Sequence, residues 1–136
     1  IISGCKEGVI RIWDAVSFVC MKEMRKHDGG IMCMDISNSN RIISSGRAKV
    51  IYVWELGTGK LLSTLSTDDG ITRAICWAPN GKGFVSAVDE MPRAWDSYGG
   101  RSKEYDARKN KIRMFLAFMS TPKKTPSREE TIQALA

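Results

Sequence analysis

Apolar residues in the first 96 positions fall in short runs, not in helical stripes. Ile31, Met34 and Ile36, then Ile71, Ile75 and Trp77, sit in segments that hold few helix formers. Val50-Ile51-Tyr52-Val53-Trp54 is β-branched and aromatic on both faces, as expected of a strand in a sheet stacked between two others. Asn38-Ser39-Asn40 and Pro79-Asn80-Gly81-Lys82 read as hairpin turns, because Asn and Gly tolerate positive φ. Strand, turn, strand recurs about every ten residues, and no segment before residue 97 reads as a long helix. The pattern predicts an all-β chain.

A fixed interval runs through these strands. Trp13-Asp14, Trp54-Glu55 and Trp95-Asp96 are 41 residues apart, and so are Ile36, Trp77 and Phe118. Ser45 and Ser86 begin equivalent segments in the same register, and Gly59-Lys60 pairs with Gly100-Arg101. A repeat of this length implies an array of like units, each too small to bury a core alone.

The stretches Ser3-Gly4-Cys5-Lys6-Glu7-Gly8-Val9-Ile10-Arg11-Ile12-Trp13-Asp14 and Trp54-Glu55-Leu56-Gly57-Thr58-Gly59-Lys60 carry a resemblance to the WD-repeat β-propeller family. The match runs from Ile1 to about Asp96, with an echo to about Ser120. The resemblance implies a partial propeller of stacked four-stranded antiparallel blades, with a basic C-terminal tail. Residues 1–106 hold the propeller: a half-blade at 1–26, a blade at 27–66 and a degenerate blade at 67–106. Residues 107–136 hold a basic, degenerate repeat start and the tail. A ring closes with about 4–8 blades. The missing blades are therefore expected from the rest of a longer chain, with separate partner chains as the alternative.

The resemblance also implies a buried hydrogen-bonded set in each blade. It comprises a His in the loop entering the blade, a Ser or Thr on the second strand, an Asp in the next turn, and the Trp. In the 27–66 blade the matching residues are His27, Ser45 (with Ser44 as the alternative) and Trp54, while Ala48 stands at the Asp position. In the next blade Ser86, Asp89 and Trp95 match, while Asp68 stands at the His position. The family's use of blade loops implies a non-enzymatic protein–protein interaction scaffold. Its binding rim would include Lys26, Asp28, Arg47, Lys49, Asp68, Asp69 and Glu90.

Charge modifies this picture only at the end of the chain. Residues 1–96 carry 12 Lys and Arg against 11 Asp and Glu, whereas residues 97–136 carry 9 against 4. The repeats thus offer no broad phosphate-binding field, and nucleic acid is not expected to bind them. The alternative function is nucleic-acid or ribonucleoprotein association through the tail, where Arg101, Lys103, Arg108, Lys109, Lys111 and Arg113 meet Tyr105 and Phe115. Thr121-Pro122-Lys123-Lys124 and Thr125-Pro126-Ser127-Arg128 resemble proline-directed kinase substrates, which makes Thr121 and Thr125 candidate phosphosites. No apolar run approaches the ~18–20 residues that span a bilayer, so no membrane association is expected. Cys5, Cys20, Cys33 and Cys76 form no C-x-x-C or His-flanked pair, which argues for reduced thiols in the cytoplasm or nucleus and against a metal site. Nucleophile-elbow, P-loop, dinucleotide and zinc-protease motifs are absent from the sequence, so neither a catalytic residue nor a cofactor is expected.

Overall fold

A computed structural model describes residues 1–67, 70–89 and 91–97. Its ten strands are β1 (Ile2–Gly4), β2 (Val9–Trp13), β3 (Cys20–Arg25), β4 (Ile31–Ile36), β5 (Arg41–Gly46), β6 (Val50–Glu55), β7 (Leu61–Ser66), β8 (Thr72–Trp77), β9 (Gly83–Val88) and β10 (Met91–Asp96). They form three antiparallel sheets in simple meander order: β1-β2-β3, β4-β5-β6-β7 and β8-β9-β10. Asn40 and Gly81 adopt positive φ in the turns that lead into β5 and β9, as the turn chemistry requires.

Alternation of side chains across the middle sheet explains its unbroken apolar strand. Ile42, Tyr52 and Trp54 pack on one face against Ile10, Ile12 and Met24 of the first sheet. Ile43, Ile51 and Val53 pack on the other face against Trp77, Phe84 and Trp95 of the third. Successive residues therefore enter different cores, and both sides of β6 are dry. Each fully buried aliphatic residue contributes roughly 1.5–3 kcal/mol. Ile10, Ile42, Ile43, Ile51 and Val53 are all fully buried.

Irregularities repeat with the strands. Register shifts occur at Ile12/Trp13 and Val53/Trp54, and again at Ile31/Cys33 and Thr72/Ala74. The acidic residue after each of the first two tryptophans organises the next turn. Asp14 accepts hydrogen bonds from the backbone N–H groups of Val16 and Ser17 and from the Ser17 hydroxyl. Glu55 accepts one from the Thr58 hydroxyl. Both acids therefore have local structural work in hairpins leading to β3 and β7.

Candidate functional site

Where the middle sheet meets the first, a loop, two hairpins and a buried polar group converge. Ser44 on β5 is fully buried, and its hydroxyl lies 2.7 Å from His27 Nε2 and 2.8 Å from Trp54 Nε1. Trp54 donates its indole N–H to that oxygen, because an indole nitrogen cannot accept. Tyr52 packs edge-on to both rings, with centroid distances of 4.6 Å to His27 and 5.7 Å to Trp54. This group ties the loop that enters the middle sheet to strands β5 and β6. Burial pushes the His27 imidazole down to about 4, so the ring is neutral at physiological pH. Its other nitrogen, Nδ1, is buried without a hydrogen-bond partner.

Ser44, and not Ser45, occupies the bonding position. Ser45 directs its hydroxyl to the Val50 carbonyl across 3.4 Å, away from His27 and Trp54. The correction follows from turn lengths. The β8–β9 connection is one residue longer than the β4–β5 connection, so Gly83 opens β9 at 42 residues after Arg41 opens β5. The β9–β10 hairpin is correspondingly shorter, and the tryptophan interval returns to 41. Ser86 therefore corresponds to Ser44, and its hydroxyl accepts the Trp95 indole N–H at 2.8 Å. The first sheet has the same diagonal bond, from Trp13 Nε1 to Ser3 Oγ at 2.8 Å. Ser3 and Ser44 are 41 apart and each lies ten residues before its tryptophan, a spacing that would have identified both. Asp89 holds a positive φ of 51°, and its carboxylate lies against Gly70.

Above the buried group, the His27–Gly30 loop runs between two hairpins. Gly8 adopts a φ of 77°, and a Cβ there would stand 2.5 Å from the His27 carbonyl oxygen. A Cβ on Gly46 would stand 2.9 Å from both Gly30 O and His27 Nδ1. Both glycines let backbone approach backbone where any side chain would clash. Ile31 N–H donates to Cys5 O at 3.0 Å and Arg47 N–H to Gly30 O at 3.2 Å, which fixes the loop on either side. Lys26, Asp28, Arg47 and Lys49 are exposed around it. Asp68, Asp69, Glu90, the basic tail residues, Thr121 and Thr125 lie outside the described residues.

Side chains that the sequence did not single out join the middle and third sheets. Asp35 accepts the Trp77 backbone N–H at 2.7 Å, and Asn38 donates to Pro79 O at 2.8 Å. The Arg41 guanidinium donates to Ser97 O at 2.6 Å. The four thiols are free and half-buried. Burial pushes Cys33 up to about 11, and burial followed by the neighbouring Asp35 raises Cys76, so neither is poised as a nucleophile. Among the described residues no group of three or more His, Cys, Asp or Glu side chains could hold a metal ion, and no helix is long and apolar enough to cross a membrane.

Comparison with known proteins places this geometry. The family described as WD domain, G-beta repeat matches residues 18–55. A p21-activated protein kinase-interacting protein 1-like protein of Danio rerio is 27% identical over 103 residues, covering 75% of this chain and 28% of that protein. A WD repeat domain-containing protein 83 homolog of Dictyostelium discoideum is 30% identical over 100 residues, covering 70% of this chain and 30% of that protein. The chain thus spans less than a third of the length of either relative. A chain in the crystal structure of a mitotic checkpoint complex superposes with a TM-score of 0.66 at 24% identity, over 76% of this chain and 34% of that one. WD-repeat proteins generally act as protein-interaction scaffolds and are generally non-enzymatic. The repeated Trp–Ser bonds, the three stacked sheets and these matches agree: this chain belongs to the WD-repeat β-propeller family, as a partial array of its repeats.

Proposed function

We propose that this chain is a non-enzymatic scaffold whose rim of blade-entering loops and second-to-third-strand hairpins presents side chains to partner proteins. The observation that carries this reading is the contrast at the first gap. Lys26, Asp28, Arg47 and Lys49 are exposed, while the backbone beneath them is held by the buried His27–Ser44–Trp54 group. Exposed side chains on a pinned loop are the arrangement by which one frame serves many partners. The name of the zebrafish relative records a kinase interaction, which is of the same kind. In this reading residues 27–66 form a blade flanked by 1–26 and 67–106, and the remaining blades of the ring come from the rest of a longer chain. The free thiols support a reducing compartment, cytoplasm or nucleus.

The test replaces Lys26, Asp28, Arg47 and Lys49 together with alanine. A control replaces Asn80 and Lys82, in the turn at the other end of the strands. Proteins crosslinked to each variant in cell extract are identified by mass spectrometry. Loss of a reproducible partner set from the rim variant alone, at an unchanged melting midpoint, supports the scaffold reading. An identical partner set for wild type and both variants refutes it.

A further inference from the structure

The cations of the first rim gap are arranged on both sides of a bare glycine floor. A Cβ on Gly30 would stand 3.0 Å from Lys6 O and 3.1 Å from Lys6 Cα, so the Lys6 backbone lies against the loop from the first sheet. A Cβ on Gly29 would stand 3.7 Å from Arg47 Cβ, so Arg47 flanks the loop from the middle sheet. Lys6, Lys26, Arg47 and Lys49 are all exposed. Glu23 pairs with Arg11 and Arg25, and Arg25 lies across from Val9 beside the 5–8 hairpin. Two exposed carboxylates, Glu7 and Asp28, share the hairpin and loop with Lys6 and Lys26.

The chain supplies its own control for this charge. Glu7, Ala48 and Asp89 are 41 residues apart, so the middle hairpin carries alanine where its two counterparts carry an acid. In the same register Lys26, Asp28 and Lys49 correspond to Thr67, Asp69 and Glu90, and His27 corresponds to Asp68. The repeat does not require the positive balance, since the following repeat carries Thr67, Asp69 and Glu90 at these positions.

We infer that the gap between the 5–8 and 46–49 hairpins, floored by Gly29 and Gly30 and flanked by Lys6 and Arg47, docks an acidic segment of a partner protein. The inference rests on the rim reading above and adds the chemistry of the partner. An Asp- and Glu-rich segment in extended form meets cations on both sides. Exposed charges at such a surface act mainly through association rate and selectivity, and salt weakens them.

The probe is a fluorescein-labelled octapeptide of alternating Asp and Glu, with the Asn/Gln octapeptide and a phosphoserine octapeptide as comparisons. Anisotropy is measured against the full chain, the Lys6→Glu/Arg47→Glu variant and a Lys82→Glu control. Lys82 lies in the exposed turn before β9, at the far end of the strands. Binding of the acidic peptide over the amide peptide, weakened about tenfold or more by the double reversal and unchanged by Lys82→Glu, is the expected result. The Lys6→Gln/Arg47→Gln variant replaces the double reversal if melting shows that the latter does not fold. Equal binding by wild type and the rim variant overturns the inference, because the basic tail would then suffice. Equal weakening by Lys82→Glu also overturns it. A preference of about tenfold or more for the phosphoserine peptide overturns it in favour of a phosphate ligand. If acidic-peptide binding fails while the crosslinked partner set still depends on the rim, only the partner chemistry is wrong. If that partner set is also indifferent to the rim, the scaffold reading fails with it.

Discussion

Replacing Ser44 with alanine tests whether one buried hydroxyl joins the entering loop to β5 and β6. Ser44 is fully buried and bonds His27 Nε2 at 2.7 Å and Trp54 Nε1 at 2.8 Å. Each lost bond removes about 1 kcal/mol net, and the indole N–H left behind costs a further ~1–3 kcal/mol as a buried unpaired donor. Relief of desolvating the hydroxyl offsets part of this, which leaves a predicted loss of about 2–4 kcal/mol. Ser45→Ala removes only the 3.4 Å contact with Val50 O, a long bond worth about 0.5 kcal/mol or less. With a urea slope of ~1–3 kcal/mol/M, the two midpoints should differ by roughly 1 M. Urea titrations followed by tryptophan fluorescence resolve such a gap. A cycle with His27→Ala separates the two bonds, since coupling between 44 and 27 should reach about 1 kcal/mol. Equal midpoints for the two serine variants, or a larger loss at Ser45, would refute the assignment.

Stability should also depend on pH through the sole histidine. His27 titrates near 4 when folded and near ~6.5 when unfolded, so its neutral burial stabilises fully above ~6.5 and is lost as pH falls toward 4. The full linkage is on the order of 3 kcal/mol. His27→Gln should abolish the slope between pH 6.5 and 4.5 in thermal melts, and a slope that persists rules out His27 as its source. Ala48→Asp introduces a carboxylate on the hairpin that faces the unpartnered His27 Nδ1. It should stabilise by up to about 1 kcal/mol after desolvation. Denaturant midpoints should show this gain only when His27 is present; a gain that survives His27→Ala excludes the partnership. Asp35→Ala removes the acceptor for Trp77 N–H between the middle and third sheets and should lower the urea midpoint by about 1–2 kcal/mol of stability. A neutral outcome would mean that apolar packing alone holds those two sheets together.

Strands and their interval were legible because they depend on local alternation and on a tryptophan that recurs every 41 residues. The unbroken run from Val50 to Trp54 also announced a sheet covered on both faces, since a half-exposed strand would alternate. His27 was identifiable as the buried residue of the entering loop, and Ala48 as a position with a missing acid. The bonding serine was legible only as the alternative to Ser45, because a longer turn before β9 and a shorter one after it cancel in sequence while shifting β9 by one residue in space, so that Ser86 aligns with Ser45. A shift of one residue turns a side chain to the opposite face of a strand, so Ser45 points away where Ser44 bonds. Asp35, Asn38 and Arg41 were equally silent, because their partners lie 42, 41 and 56 residues away on another sheet. Local periodicity thus determined the units and their stacking faces. Which polar side chains meet, and that Lys6 and Arg47 flank one glycine floor, depended on how the sheets close against each other, a distance no single repeat encodes.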